Sequence, residues 1–112
     1  MYRDSLGLYR EIGDRAGVSS CLEGLASLAA LQGQYERAAR LFGAAPNLFK
    51  PVGVLFDGLD RQEVSRFVAL ARDHLGDQAW QSAFAAGQAM TAGGTRGALE
   101  KAVAFALAPV VS

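Results

Sequence analysis

Apolar residues recur every three or four positions along most of the chain, which is the spacing of an amphipathic α-helix. The apolar fraction is 51% and is rich in Ala and Leu, a composition that favours closely packed helices over sheet. The pattern predicts about six helices, which span residues 2–12, 18–32, 35–45, 60–75, 77–90 and 98–108. We therefore expect an all-α fold built from antiparallel helical hairpins.

Glycine and proline mark the expected ends of the first three helices. Gly13 and Gly17 bracket a turn, and Gly33 closes the second helix, because glycine ends a helix at little steric cost. Pro46 has no amide hydrogen, so the third helix is expected to stop or kink beside it. Residues 51–58 then form a connector.

The later helices are expected to begin at acidic residues. Asp60 followed three residues later by Glu63 fits a capping box, and Asp77, which follows Gly76, is expected to cap the fifth helix. Residues 91–97, TAGGTRG, contain three glycines and are expected to form a mobile loop. The last helix carries only two polar residues and is expected to bury almost its whole circumference.

The second and third predicted helices carry a particular order of small and large side chains. That order runs through Leu22, Leu25, Ala26, Ala29, Gly33, Tyr35, Ala38, Phe42 and Ala45. It resembles the tetratricopeptide repeat (TPR), a pair of antiparallel helices whose small residues let the helix backs touch. The sequence departs from the family at Leu22, where the first signature aromatic residue is expected, and at Pro46.

Part of the same pattern occurs about 33 residues upstream, where Tyr9 and Ile12 echo Phe42 and Ala45. A period in the thirties is expected of helical repeats. We therefore expect the first helix to be the second half of a repeat and to leave one edge uncovered.

Nearly the whole chain resembles the C-terminal tails of large bacterial transcription regulators and signal-transduction ATPases of the LuxR and AfsR type. The resemblance rests on SLGLYREIGDRAGVSSCLEGLASLAALQGQYERAARLFGAA, WQSAFAAGQAM and LEKAVAFAL. It implies a scaffold for protein contacts or for the regulation of an attached domain. The ATPase and DNA-binding activities of those proteins are not implied, because the resemblance does not include the domains that carry them.

The resemblance also implies how the chain is organised. Residues 1–112 are expected to form one TPR-like helical domain, an all-α right-handed helical array. Its parts are a half repeat at 1–12, a complete repeat at 18–45, a helical hairpin at 57–90, a loop at 91–97 and a terminal helix at 98–108.

Charge and composition narrow the expected partners. Lys and Arg together number 11 and so do Asp and Glu, so the chain has no net field that would attract nucleic acid. The longest apolar run, residues 102–111, is about half of the roughly 20 residues that span a bilayer, so no membrane association is expected. One cysteine excludes an internal disulfide, and the expected compartment is the cytoplasm.

No constellation of residues predicts catalysis, and we expect a protein that is not an enzyme and needs no cofactor or metal. His74 is the only histidine and lies near a helix end, and Cys21 lies on an apolar stripe without a neighbouring base. Gly93, Gly94 and Gly97 could offer amide groups to a phosphate, but no GK[ST] accompanies them. A flexible connector explains them better.

The favoured function is a protein-interaction or scaffold module. Its expected partner is a second copy of the chain, an unknown regulator or both, and a homodimer is the expected assembly. The expected surface combines the uncovered first helix with the apolar last helix, because together they leave a large apolar area. Its residues are Leu6, Leu8, Tyr9, Ile12 and Phe105.

The alternative is a regulatory domain that binds a small molecule in a groove between helices. Two aromatic residues, Phe49 and Phe56, lie beside and within the connector, in a stretch that Pro and Gly interrupt and where a side chain can line a groove. With Trp80 they form the candidate groove.

Overall fold

The computed structural model describes residues 2–48 and 61–108, and these ranges contain six α-helices and no strand. The helices are α1 Tyr2–Ile12, α2 Arg15–Leu31, α3 Tyr35–Leu48, α4 Arg61–Leu75, α5 Asp77–Met90 and α6 Arg96–Leu107. The prediction of an all-α array of about six helices is confirmed. The connector at residues 51–58, which includes Phe56, lies outside the described residues, and so do Phe49 and the expected capping residue Asp60.

Helix α3 lies at the centre of the fold and contacts α2, α4, α5 and α6. It runs antiparallel to α2, since Ser19 near the start of α2 donates a hydrogen bond to the carbonyl of Ala45 near the end of α3, at 3.1 Å. Helix α1 packs on α2, and α6 returns to contact α1, α2, α3 and α5. The largest fully buried apolar side chains are Leu6, Val18, Leu22, Leu41, Leu99 and Val103.

Two glycines bring the backbones of α3 and α5 into direct contact. A Cβ atom at Gly43 would overlap the carbonyl oxygen of Phe84, and a Cβ atom at Gly87 would overlap that of Arg40. The contact is reciprocal, since each helix supplies one glycine and one carbonyl group. The two helices therefore lie closer together than they could if either position carried a Cβ atom. Cα–H···O contacts are common between helices at such short distances.

A second pair of glycines holds α1 against α2. The ring of Tyr9 rests on Gly17 and the ring of Tyr2 rests on Gly24, in positions that a Cβ atom would occupy. Gly17 was expected in a turn, but it lies in the first turn of α2, which Asp14 caps by accepting a hydrogen bond from the Gly17 amide at 3.0 Å. Gly17 is thus used for close packing rather than for ending a helix.

A stop or a kink was expected beside Pro46, and the stop does not occur there, because the third helix continues through Pro46 and ends at Leu48. Proline removes one helical hydrogen bond, yet side chains from other helices bind the carbonyl groups of this last turn. Thr91 donates to Ala44 at 2.8 Å, and Ser19 donates to Ala45. These tertiary hydrogen bonds hold the helix where the local sequence would end it.

The segment before α6 is shorter and better anchored than the expected mobile loop. Thr91 is fully buried, Arg15 donates a hydrogen bond to the carbonyl of Gly94, and Thr95 caps α6 by accepting from the Ala98 amide at 3.1 Å. Helix α6 therefore begins at Arg96, inside the segment that was assigned to the loop.

Two further expectations about helix surroundings are corrected. Helix α6 does not bury almost its whole circumference, since Gly97 and Ala104 are exposed in addition to Lys101. The N-cap of α5 is Gly76, which has no side chain to offer, and the carboxylate of Asp77 instead accepts from Arg72 Nε at 2.9 Å.

The contact between α3 and α5 predicts opposite effects of alanine at two helical glycines. Gly87→Ala should lower the free energy of unfolding by about 2 kcal/mol, because overpacking a helix contact costs roughly 1–3 kcal/mol. Gly7→Ala in α1 is the matched control, since a Cβ atom there meets nothing within 4 Å. It should raise stability by about 0.5–1 kcal/mol through helix propensity alone. Urea unfolding followed by circular dichroism measures both, and equal effects at the two positions would contradict the backbone contact.

Candidate functional site

The outer face of α1 presents two large aliphatic side chains to solvent. Leu8 is 65% exposed and Ile12 is 72% exposed, and the two residues are one helical turn apart. Exposed charged residues, Asp4 and Glu11, lie on the same helix. Burying one such aliphatic side chain gains about 1.5–3 kcal/mol, so this pair is a favourable place for another apolar surface to bind.

The structure removes two residues from the surface that was expected on α1. Leu6 is fully buried, and Tyr9 is half-buried because its ring packs on Gly17. Both residues attach α1 to the rest of the protein. Of the expected α1 residues, the structure therefore brings together only Leu8 and Ile12, which we call the α1 patch.

Phe105 does not join the α1 patch. It is half-buried near the end of α6, and the guanidinium carbon of Arg37 lies 5.1 Å from the centre of its ring. This end of α6 faces the start of α1, since Arg3 donates a hydrogen bond to the carbonyl of Leu107 at 2.7 Å. Ile12 lies at the other end of α1. Phe105 and Ile12 therefore lie towards opposite ends of α1, although α1 and α6 contact each other.

A second exposed aliphatic pair, on α2, was missed by the sequence analysis. Leu28 is 41% exposed and Leu31 is 63% exposed. Because α2 is apolar on two sides, its sequence suggests a helix covered by neighbours on both. In the described residues, this second side is left open near the end of the helix. The apolar residues on the second side of α2 are visible in the sequence. The sequence does not show which of the two apolar sides other helices cover.

The candidate aromatic groove is not supported at the one member that the structure describes. Trp80 is only 6% exposed, and its ring centre lies 5.5 Å from that of Phe84. It is a core residue of α5. The other two members, Phe49 and Phe56, lie outside the described residues.

A different groove, of about 190 Å³, lies where α1 and α3 begin and α2 and α6 end. Its lining residues are Arg3, Leu25, Leu28, Ala29, Gln32, Gln34, Arg37 and Ala106. We call it the arginine groove. Burial lowers the pKa of the Arg37 guanidinium, and the positive charge of Arg3 lowers it further. The two cations therefore act on each other across a partly desolvated space.

A second groove, of about 230 Å³, lies between α3 and the α4–α5 pair and has a different charge balance. Arg40 lines it together with Glu36, and these side chains form an ion pair at 2.7 Å. The remaining lining is Leu75, Ser82 and several alanines of α5. Its arginine charge is thus already balanced within the protein.

The two residues considered for chemistry have structural surroundings. Cys21 is buried in the core. His74 stacks on Tyr35, with ring centres 4.4 Å apart, and its Nδ1 lies 2.9 Å from the carbonyl oxygen of Leu70. Within residues 2–48 and 61–108, no three His, Cys, Asp or Glu side chains come together as a group that could hold a metal ion.

Comparisons with known proteins identify no relative. No family model matches the chain, and neither a curated protein nor a solved structure matches it. Among the described helices, none has the length and apolarity to cross a membrane. The function must therefore be argued from the α1 patch and the arginine groove themselves.

The buried thiol predicts a pH dependence of stability. Burial raises the pKa of Cys21, and the negative charge of Asp14 adds to the rise. Because the pKa is higher in the folded state, the thiol contributes fully to the free energy of unfolding below its unfolded-state pKa, about 8.5. That contribution is lost as the pH rises towards the folded-state pKa. The stability difference between the wild-type chain and Cys21→Ala should therefore shrink as the pH rises above about 8.5.

Urea unfolding of both chains under reducing conditions measures this difference, and the contributions of Tyr and Lys cancel in the subtraction. A difference that stays constant with pH would show that the thiol is not desolvated in the folded state.

Proposed function

We propose that this chain is a non-catalytic helical interaction module that associates with itself through the α1 patch. The observation that carries the proposal is the exposure of Leu8 and Ile12 on a helix whose inner face is already fully used. Leu6, Tyr2 and Tyr9 fix that inner face against α2. The outer aliphatic pair therefore has no role in holding α1 in place, and burial by a partner would be a net gain.

A second copy of the chain is the partner that fits this patch best. A two-fold axis between the helices would place Leu8 of one chain beside Ile12 of the other, so that both pairs are buried at once. The chain carries no net charge, so two copies do not repel each other strongly. A homodimer with antiparallel α1 helices follows.

The resemblance to TPR proteins supports the same proposal. In that pattern α1 corresponds to the second helix of a repeat, and its outer face is the one that a preceding helix would cover. TPR arrays bury each repeat against its neighbours, so the exposed outer face of α1 is a natural place for a partner. The proposed role is therefore that of a TPR-like scaffold, of the kind found in the tails of bacterial regulators, acting in the cytoplasm.

The double variant Leu8→Gln, Ile12→Gln tests the proposal. Glutamine keeps the helix propensity and the net charge but makes the patch polar. We expect the dimer dissociation constant to rise at least about 100-fold, since the lost burial is about 1.5–3 kcal/mol for each residue and 1.4 kcal/mol is a factor of ten. Analytical ultracentrifugation over a wide concentration range measures the constant.

Leu31→Gln is the matched control, because Leu31 is 63% exposed but lies near the end of α2. This variant should dimerise like the wild-type chain. A wild-type chain that stays monomeric to about 1 mM, the concentration range of weak specific complexes, would refute self-association. Equal weakening by the control would show that the α1 patch is not the interface.

A further inference from the structure

The arginine groove contains hydrogen-bond donors that the protein itself does not use. Nη2 of Arg3 donates a hydrogen bond to the carbonyl of Leu107 at 2.7 Å. Nη2 of Arg37 donates to the carbonyl groups of Ala106 at 2.7 Å and Phe105 at 3.4 Å. A guanidinium group has five N–H donors. The Nε–H and Nη1–H donors of both arginines bind no other described residue. Arg3 uses one of its two Nη2 hydrogens, so it keeps one complete two-donor edge, and Arg37 adds single donors from Nε and Nη1.

The charge of the groove is also unbalanced. None of its lining residues is acidic, and neither Arg3 nor Arg37 forms an ion pair within the described residues. The carbonyl end of α6 offsets only about half of one positive charge. More than one positive charge is therefore left beside a partly desolvated surface, where it attracts an anion more strongly than in water.

The apolar part of the groove limits what that anion can be. Leu25, Leu28 and Ala29 from α2 and Ala106 from α6 contribute apolar lining between the two arginines and the glutamines. An apolar cavity of about 150 Å³ holds one benzene molecule, so a groove of about 190 Å³ has room for a ring or a short chain. A bare inorganic anion would leave this apolar lining uncovered.

We propose that the arginine groove binds a small amphipathic monocarboxylate, with the carboxylate held by Arg3 and Arg37 and the apolar body resting on Leu25 and Leu28. A carboxylate matches the planar donor fork of arginine and accepts two parallel hydrogen bonds from it. The binding site is separate from the α1 patch and does not depend on self-association.

Benzoate is the probe that tests this site, because it joins a carboxylate to a ring of the right size. Titration of the wild-type chain, followed by NMR of backbone amides, should show saturable shifts at the start of α1 and α3 and at the end of α2. Benzamide, which has the same shape without the charge, should bind at least about tenfold more weakly, since hydrogen bonds to a charged group are roughly twice as strong as those to a neutral one.

Two single variants assign the binding to the arginines. Arg37→Gln and Arg3→Gln should each weaken benzoate binding at least about tenfold. Arg37→Lys should restore part of the affinity, because it keeps the charge and loses the fork. Arg3 is exposed, so its variant should fold normally even if the loss of Arg37 loosens α6. Circular dichroism checks both folds.

Arg66→Gln is the matched control, since it removes the same charge from an exposed position on α4 that does not line the groove. Its affinity for benzoate should equal that of the wild-type chain, and so should that of Leu8→Gln, Ile12→Gln. Absence of saturation at about 20 mM benzoate, far above the millimolar range of weak specific binding, would overturn the proposal. Equal binding of benzamide, or an equal loss with Arg66→Gln, would overturn it as well.

Discussion

The backbone contact between α3 and α5 is the constraint on which the rest of the fold depends. Gly43 and Gly87 let each helix touch a carbonyl group of the other, so the two axes lie closer than ordinary side chains allow. On its opposite side α3 packs against α2 through small residues, with Ala38 and Ala45 fully buried. A central helix with small residues on both sides leaves room at its flanks for α6 to return to the N-terminal half of the chain.

The position of α6 is set by polar contacts at its two ends as much as by its apolar face. At its start, Thr95 caps the helix and Glu100 lies between Arg10 and Arg96, 3.9 Å and 3.5 Å from their Nε atoms. At its end, arginines of α1 and α3 bind its last carbonyl groups, as favoured by the helix dipole. The arginine groove exists because these two cations reach α6 from different helices and enclose a space between them.

The sequence predicted local structure well and tertiary roles less well. The period of apolar residues predicted α1 at Tyr2–Ile12, because an amphipathic helix between polar ends needs only local information. It could not predict that α3 continues past Pro46, since the hydroxyl groups that hold its last turn come from Ser19 and Thr91 on distant segments. Likewise Leu6 shares the apolar character of Leu8, and only the packing of α1 on α2 shows which is buried.

The α1 patch and the arginine groove lie at opposite ends of the hairpin formed by α1 and α2, which separates their proposed functions. Tyr9 packs beside Gly17, so the end of α1 that carries Ile12 lies next to the start of α2. From that level to Leu28 is 11 residues, or about 16 Å along the helix. A partner on the α1 patch would therefore leave the groove open.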